Sequence, residues 1–413
     1  MSLRDNPGRP GRARRRIGPS TNRANGVTQG GRAAADRGAG NGRIAGAMDA
    51  DYALIGGGVV GLSVAWGLLR RGHRVLVLDG SDGSFRASRG NFGLVWVQSK
   101  GLDAPAYARW SQRSAAAWAE HAAELAEATG HDLSLRQAGG YDFHLDEETL
   151  EQRARQYEGL KAALGGDYPF EVLGHNALKT EEPGIGPKVA GAILHHQDGH
   201  VNPLRLLQAL AQDVRRLGGR VLTGQSVTDI VPGDGFTLCC AGGGRHRAAK
   251  IVLTAGLGAM ALGPKLGFRA PIRPQRGQVL ITEKLPKMMN RPSGIIRQVD
   301  EGGVQIGDSK EEVGLDDGVT LDIVAAIAAR AAAIYPDLAR AQLVRSWGAL
   351  RILSPDGLPI YQQSETCPGA YLVTCHSGIT LSAAHARFLP AWLEGAADAP
   401  DLEVFGERRF TLS

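Results

Sequence analysis

Apolar residues run without interruption over residues 52–55 and again over 75–78, as in short strands buried on both faces. Between them Leu62, Ala65, Leu68 and Leu69 recur at helical spacing, and Gly72 stands where a helix stops. The chain therefore opens as strand, helix, strand. Farther on, the pattern predicts a helix over 107–129, a strand over 137–144, a helix with a charged face over 147–163 and a strand over 189–196. Pro203 suits the first turn of a helix that runs to Leu217, where Gly218 and Gly219 end it ahead of a strand over 220–222. Strands are expected over 251–255, 278–282 and 303–307, with a helix over 321–335. The segments 347–359 and 371–380 then lead into a final helix. No repeat of solenoid period is visible.

The turn between the first strand and helix carries chemistry. Gly56, Gly58 and Gly61 have the G-x-G-x-x-G spacing. In that arrangement Gly56 allows the tight turn, Gly58 lets backbone approach a pyrophosphate, and Gly61 lets helix and sheet pack closely. The phosphates would rest on the helix N-terminus, beside the backbone of Val59 and Val60. Asp79 closes the second strand, followed by Gly80, at the separation expected for an acid on a ribose 2′-hydroxyl. Its charge disfavours a 2′-phosphate, and with it NADP. The fold class expected is α/β: a Rossmann-like dinucleotide-binding domain with a second, mixed-sheet substrate domain.

Charge changes the picture at one end only. Residues 1–47 hold ten arginines and two aspartates, a net of +8; the whole chain is +5, so the remainder is about 5 − 8 = −3. The extension is too polar to offset its ordering entropy, so disorder is expected there. Met48, directly before the first strand, is the expected natural start. No apolar run is long enough to cross a bilayer. The four cysteines lack metal spacing and read as reduced thiols of a cytoplasmic protein. His195 and His196 point to opposite faces of a strand, which argues against a shared metal, and no metal site is expected. G-K-[ST], H-E-x-x-H and G-x-S-x-G motifs are absent.

Over residues 50–397 the order and spacing of several segments resemble the D-amino-acid oxidase superfamily of FAD-dependent oxidoreductases. The carriers are residues 56–79, 87–91, 199–203, 253–256, 274–278, 350–359 and 376–378. Residues 91–96 and 375–381 look most like the flavoprotein subunits of opine and hydroxyproline dehydrogenases, with glycine oxidase and hydrogen cyanide synthase subunits more distant. The resemblance implies FAD in a discontinuous domain formed by 48–95, 199–258 and 345–413; neither Cys367 nor Cys375 matches a linkage motif, so the flavin is taken as noncovalent. The substrate domain would take 96–198 and 259–344.

Carried over residue by residue, the resemblance places Ser88 and Arg89 at the pyrophosphate and Gly90, Asn91 and Gly93 beside the isoalloxazine ring. Val227 would contribute backbone bonds to the adenine, and Ala255 and Gly256 would cross close to the adenosine. His376, Ser377 and Gly378, with Ile379 and Thr380, would face the flavin N1 and O2 locus ahead of the last helix. Arg351 matches the arginine that pairs the substrate carboxylate; the alternative for it is a structural ion pair between domains. Gln98, Tyr141, Phe143 and Gln298 are weaker candidates for the pocket lining.

The reaction implied is oxidation of the C–N bond of a small amino acid or secondary amine by hydride transfer to flavin N5. The catalytic set would be Arg351, His376 and Gly378. The substrate class spans D-amino acids, glycine or sarcosine, proline or hydroxyproline, and opines. The electron acceptor stays open between oxygen and a partner subunit or quinone. An RNA-associated flavoprotein is the reading from another class, and the acidic folded part argues against nucleic acid as partner.

Overall fold

The computed structural model describes residues 48–80 and 87–410, which fall in one compact unit. The arginine-rich extension at 1–47, and with it the expected disorder, lies outside the described residues. Strand Ala50–Ile55 is central and parallel to Val75–Leu78 on one side and Arg245–Leu253 on the other. Arg220–Leu222 extends the sheet beyond Val75–Leu78, Ala370–Thr374 extends it beyond Arg245–Leu253, and antiparallel Ile360–Gln363 closes that edge.

Side chains of the central strand alternate between two cores, as the strand period requires. Tyr52 and Leu54 pack among the helices, with Leu62, Leu68, Leu206 and Leu210. Ala53 and Ile55 pack on the other face with Ile230, Phe236 and Leu238 of the hairpin Val227–Gly233 and Gly235–Cys240, which the apolar pattern did not predict. Helix Val59–Arg70 lies so close to the last helices that a Cβ on Gly67 would sit 2.1 Å from the Ala386 carbonyl oxygen. Trp66 Nε1 donates to Asp213 Oδ2 of helix Pro203–Arg216 at 2.7 Å, which satisfies a buried indole.

Two larger antiparallel sheets and a two-stranded pair, Leu94–Val95 with Gly199–His200, form the remainder. One orders Ile296–Gln298, Gly303–Ile306, Arg273–Lys284 and Leu343–Leu353; the other orders Gly140–His144, Gly191–His195 and Phe170–Gly174. Helix Leu321–Ile334 packs on the first of these. Strand 273–284 is longer than the apolar pattern suggested and strand 343–353 does not follow from it, because charged residues such as Arg276 and Arg351 sit within them. Among the described residues no helix is long and apolar enough to cross a membrane. The cysteines are free thiols.

Candidate functional site

At the mouth of the parallel sheet the glycine turn is held by contact distance. Gly56 has φ +115°, and a Cβ there would lie 2.5 Å from the Thr254 carbonyl oxygen. A Cβ on Gly61 would lie 2.0 Å from the Gly56 oxygen and 2.6 Å from Thr254 Oγ1, which itself donates to Ile55 O and Gly56 O at 3.1 and 3.0 Å. Thr254 thus ties the return strand to the turn. Gly58 caps helix Val59–Arg70 with no side-chain hydrogen bond of its own, so the first-turn N–H groups beyond Val59 remain able to bind an anion. Ser88 Oγ accepts from Val59 N at 3.1 Å, which brings 87–90 onto that helix end; Arg89 is exposed in the same turn.

Asp79 and Gly80 meet the hairpin entrance: Gln225 N donates to Asp79 O at 2.8 Å, and a Cβ on Gly57 would touch the Asp79 carboxylate at 2.7 Å. Val227 starts the neighbouring strand, and Gly256, at φ +56°, follows Ala255 beside Gly56. Residues 56–61, 79–80, 226–227 and 255–256 therefore gather at one end of the sheet.

The second cluster lies at the other side of the helix end. A Cβ on Gly378 would meet Val59 Cγ1 at 3.0 Å and Val60 Cγ2 at 3.2 Å. Leu381 N donates to Ser377 O at 3.0 Å, so one helical turn precedes helix Ser382–Arg387. Thr380 Oγ1 accepts from Trp96 N and donates to Leu94 O, both at 3.2 Å, and Asn91 Oδ1 accepts from Gly93 N at 2.7 Å. Trp347 Nε1 donates to Gly90 O at 3.2 Å, and Gly307 packs on Phe92, which brings the four-stranded sheet over residues 90–93.

Arg351 projects from that sheet. Its guanidinium, with the side chain 18% exposed, forms an ion pair with Asp308, donates to Ser309 O at 2.7 Å and lies over Gly277, where a Cβ would be 2.5 Å away. His376 is held neutral: burial, then the cations Lys100, Arg351 and Lys310, push it down to about 3. Lys100 Nζ and Tyr107 OH both donate to Ser377 Oγ, at 2.6 and 2.9 Å. Burial lowers Lys100 to about 8.

Sequence reasoning missed Lys100, Asp308, Lys310 and Arg297. All but Arg297 sit in loops without a motif. Arg297 is buried beside Gly93 and donates to Gln305 Oε1 at 2.8 Å and Val201 O at 3.1 Å. Gln298, its neighbour, bonds to backbone carbonyls of Leu285, Pro286 and Gly302, and Tyr141 and Phe143 lie in the core under helix Leu321–Ile334, with Tyr141 OH on Glu181. Those three are packing and scaffold residues. Gln98 donates to Asp198 Oδ2 at 2.8 Å and Gly140 O at 3.0 Å, a support for the 97–100 segment. His195 is buried and His196 pairs with Glu171 at the surface, on opposite faces as expected.

Buried Asp198 carries a pH signature. Desolvation raises its carboxyl to about 7. With an unfolded value near 3.9, the native state binds the extra proton between about pH 4 and 7, so this contribution to stability falls as pH rises through that window. Thermal melts across it should show a smaller decline for Asp198→Asn than for wild type; parallel curves would refute the assignment.

A parallel sheet with a Gly-x-Gly-x-x-Gly turn, an acid on the next strand and a cationic pocket beneath antiparallel strands defines a dinucleotide-dependent oxidoreductase. The chain belongs to the DAO family, FAD dependent oxidoreductase, whose model matches residues 51–392. It is 43% identical over 363 residues to an opine oxidase subunit from Agrobacterium tumefaciens, covering 88% of this chain and 98% of the relative. Hydrogen cyanide synthase subunit HcnC of Pseudomonas protegens is 27% identical, with 88% and 97% covered. Glycine oxidase from Geobacillus kaustophilus superposes with a TM-score of 0.80 at 27% identity, covering 86% of this chain and 98% of that structure. FAD is the cofactor of the family, and the turn fits it, because the space a Cβ would fill at Gly56 and Gly61 is already taken by backbone and the helix end is open to a phosphate.

Proposed function

We propose that the enzyme oxidises the C–N bond of a small amino acid or secondary amine of the D-amino acid, glycine or sarcosine, proline or hydroxyproline, or opine type. The observation that carries this reading is Arg351, a largely enclosed guanidinium on the strand above residues 90–93, with Nη2 on a carboxylate and Nη1 on the Ser309 carbonyl. Asp308 supplies that carboxylate here; at 30% side-chain exposure it can turn to solvent and yield the fork to a substrate. FAD, when bound, would supply the hydride acceptor. The substrate carboxylate on Arg351 orients Cα–H, the amine proton leaves to solvent, and water hydrolyses the resulting imine. Neutral His376, with Ser377 and Gly378, would place N–H groups toward the flavin N1 and O2 locus, where negative charge develops. Gly56, Gly58 and Gly61 with Ser88 and Arg89 would hold the pyrophosphate, Asp79 the ribose, and Val227, Ala255 and Gly256 the adenosine.

Anaerobic absorbance titration with D- and L-amino acids, proline, hydroxyproline, sarcosine and opines tests the reading. Bleaching of the flavin band by one of them is expected; a yellow protein that none bleaches overturns it.

A second reading concerns the electron acceptor. Two of the relatives are named as subunits, one of opine oxidase and one of hydrogen cyanide synthase, and Leu315, within the acidic 307–320 segment, and Leu321, just after it, are 73% and 87% exposed. Transfer to a partner subunit or quinone fits both features. Admitting air to the reduced protein is expected to give slow reoxidation; peroxide release at the full turnover rate would refute it.

A further inference from the structure

Lys100 sits in the turn that follows strand Leu94–Val95, with its backbone N–H on Val97 O at 3.0 Å. Its Nζ donates to Ser377 Oγ at 2.6 Å, and among the described residues no carboxylate pairs with it. Asp198 acts on it only through space, because that carboxylate is taken up by the backbone N–H groups of Val97 and Gln98 and by Gln98 Nε2. Burial lowers the ammonium to about 8, so it is still charged at neutral pH. Ser377 is 7% exposed, and its Oγ also accepts from Tyr107 OH at 2.9 Å. A hydroxyl has two lone pairs and one hydrogen. Both lone pairs are filled here, one of them by a cation, so the hydrogen is polarised, and it finds no acceptor among the described residues. Ser377 stands between His376, which Lys100 helps to hold neutral, and Gly378, which packs on Val59 and Val60 at the start of helix Val59–Arg70. A buried donor backed by a shielded cation suits an acceptor that gains negative charge.

We infer that Lys100 is a positioning residue for the flavin: through Ser377 Oγ it presents a polarised O–H to the N1 and O2 locus, and so favours uptake of electrons there. This inference rests on the proposed placement of residues 376–378 at that locus and not on which amine is oxidised. Tyr107 fills the second lone pair of Ser377 Oγ, which leaves the hydrogen for the flavin. Lys100 sets the reduction potential, whereas Arg351 holds the substrate.

Reduction potential and sulfite affinity of the holoenzyme test it, since both read the cost of negative charge on the flavin and neither needs substrate. Lys100→Met and Lys100→Gln remove the charge at similar bulk. Each is expected to weaken sulfite binding about tenfold, the effect of one charge-assisted hydrogen bond. The same tenfold in a two-electron couple lowers the potential by about 30 mV. Lys100→Arg should restore most of both. Ser377→Ala should weaken sulfite binding by as much, and adding Lys100→Met to it should change nothing further, because the path runs through the hydroxyl. Additive losses in the double variant, wild-type values in both neutral variants, or loss of flavin from both overturn the inference. If the neutral variants match wild type and Ser377→Ala alone loses sulfite affinity, Lys100 has no part and residues 376–378 stay at the flavin. Wild-type values in Ser377→Ala as well would remove those residues from it.

Discussion

Gly61→Ala is expected to give a protein that purifies colourless and melts well below wild type. The added Cβ would lie 2.0 Å from the Gly56 carbonyl oxygen and 2.6 Å from Thr254 Oγ1. Backbone on one side and a hydroxyl bonded to two carbonyls on the other cannot rotate away, unlike the end of a flexible side chain. Relief requires the helix to lift from the turn, which removes the N–H groups that would meet the pyrophosphate. Overpacking of this kind costs about 1–3 kcal/mol, and backbone contact at 2.0 Å belongs at the upper end. Gly159→Ala is the control: it lies inside helix Glu147–Ala163 with nothing within 4 Å of the new methyl, and should raise stability by up to about 1 kcal/mol. The ratio of flavin to protein absorbance, with a melting curve for each variant, checks both. Wild-type flavin content in Gly61→Ala would show that the turn is not the phosphate cradle.

Arg351→Met should lower kcat/KM for the best substrate on the order of 100-fold while leaving flavin content unchanged. The estimate follows from removing one partner of a charge pair that is largely shielded from water, which costs about 2–5 kcal/mol, at about tenfold per 1.4 kcal/mol. Methionine keeps the aliphatic bulk over Gly277, so the effect reads charge and not packing. The loss should fall mainly on KM if the carboxylate is bound equally before and during hydride transfer, and on kcat as well if the arginine aligns Cα–H. Asp308→Asn offers the complementary result. Freed of its internal carboxylate, Arg351 should bind the substrate carboxylate more tightly, and KM should fall. Steady-state kinetics on the same substrate measure both variants. Unchanged kinetics in Arg351→Met would leave Arg351 as a structural pair with Asp308, the alternative its place in the sequence left open.

The strand, helix, strand unit at 50–78 was legible because its cause is local. Apolar runs buried on both faces, a helical repeat and glycines at fixed spacing act over a few residues, and the observed elements Ala50–Ile55, Val59–Arg70 and Val75–Leu78 follow them closely. The same holds for helices Glu147–Ala163 and Leu321–Ile334, whose periodicity spans several turns. Hairpin Val227–Cys240 escaped because Pro232, Gly233 and Asp234 interrupt its alternation, and its register is set by pairing with Arg245–Leu253. Sequence by itself determined the dinucleotide turn, the acid that follows it and the family to which the chain belongs. Tertiary structure alone decided the charge of the pocket. Lys100, Arg297, Asp308, Lys310 and Arg330 come from two loops, one strand and one helix, and nothing in their local sequence marks them. Whether such a cation is solvated or enclosed, paired or uncompensated, depends on which distant backbone folds against it, and electrostatic energy depends on that enclosure far more than on neighbours along the chain.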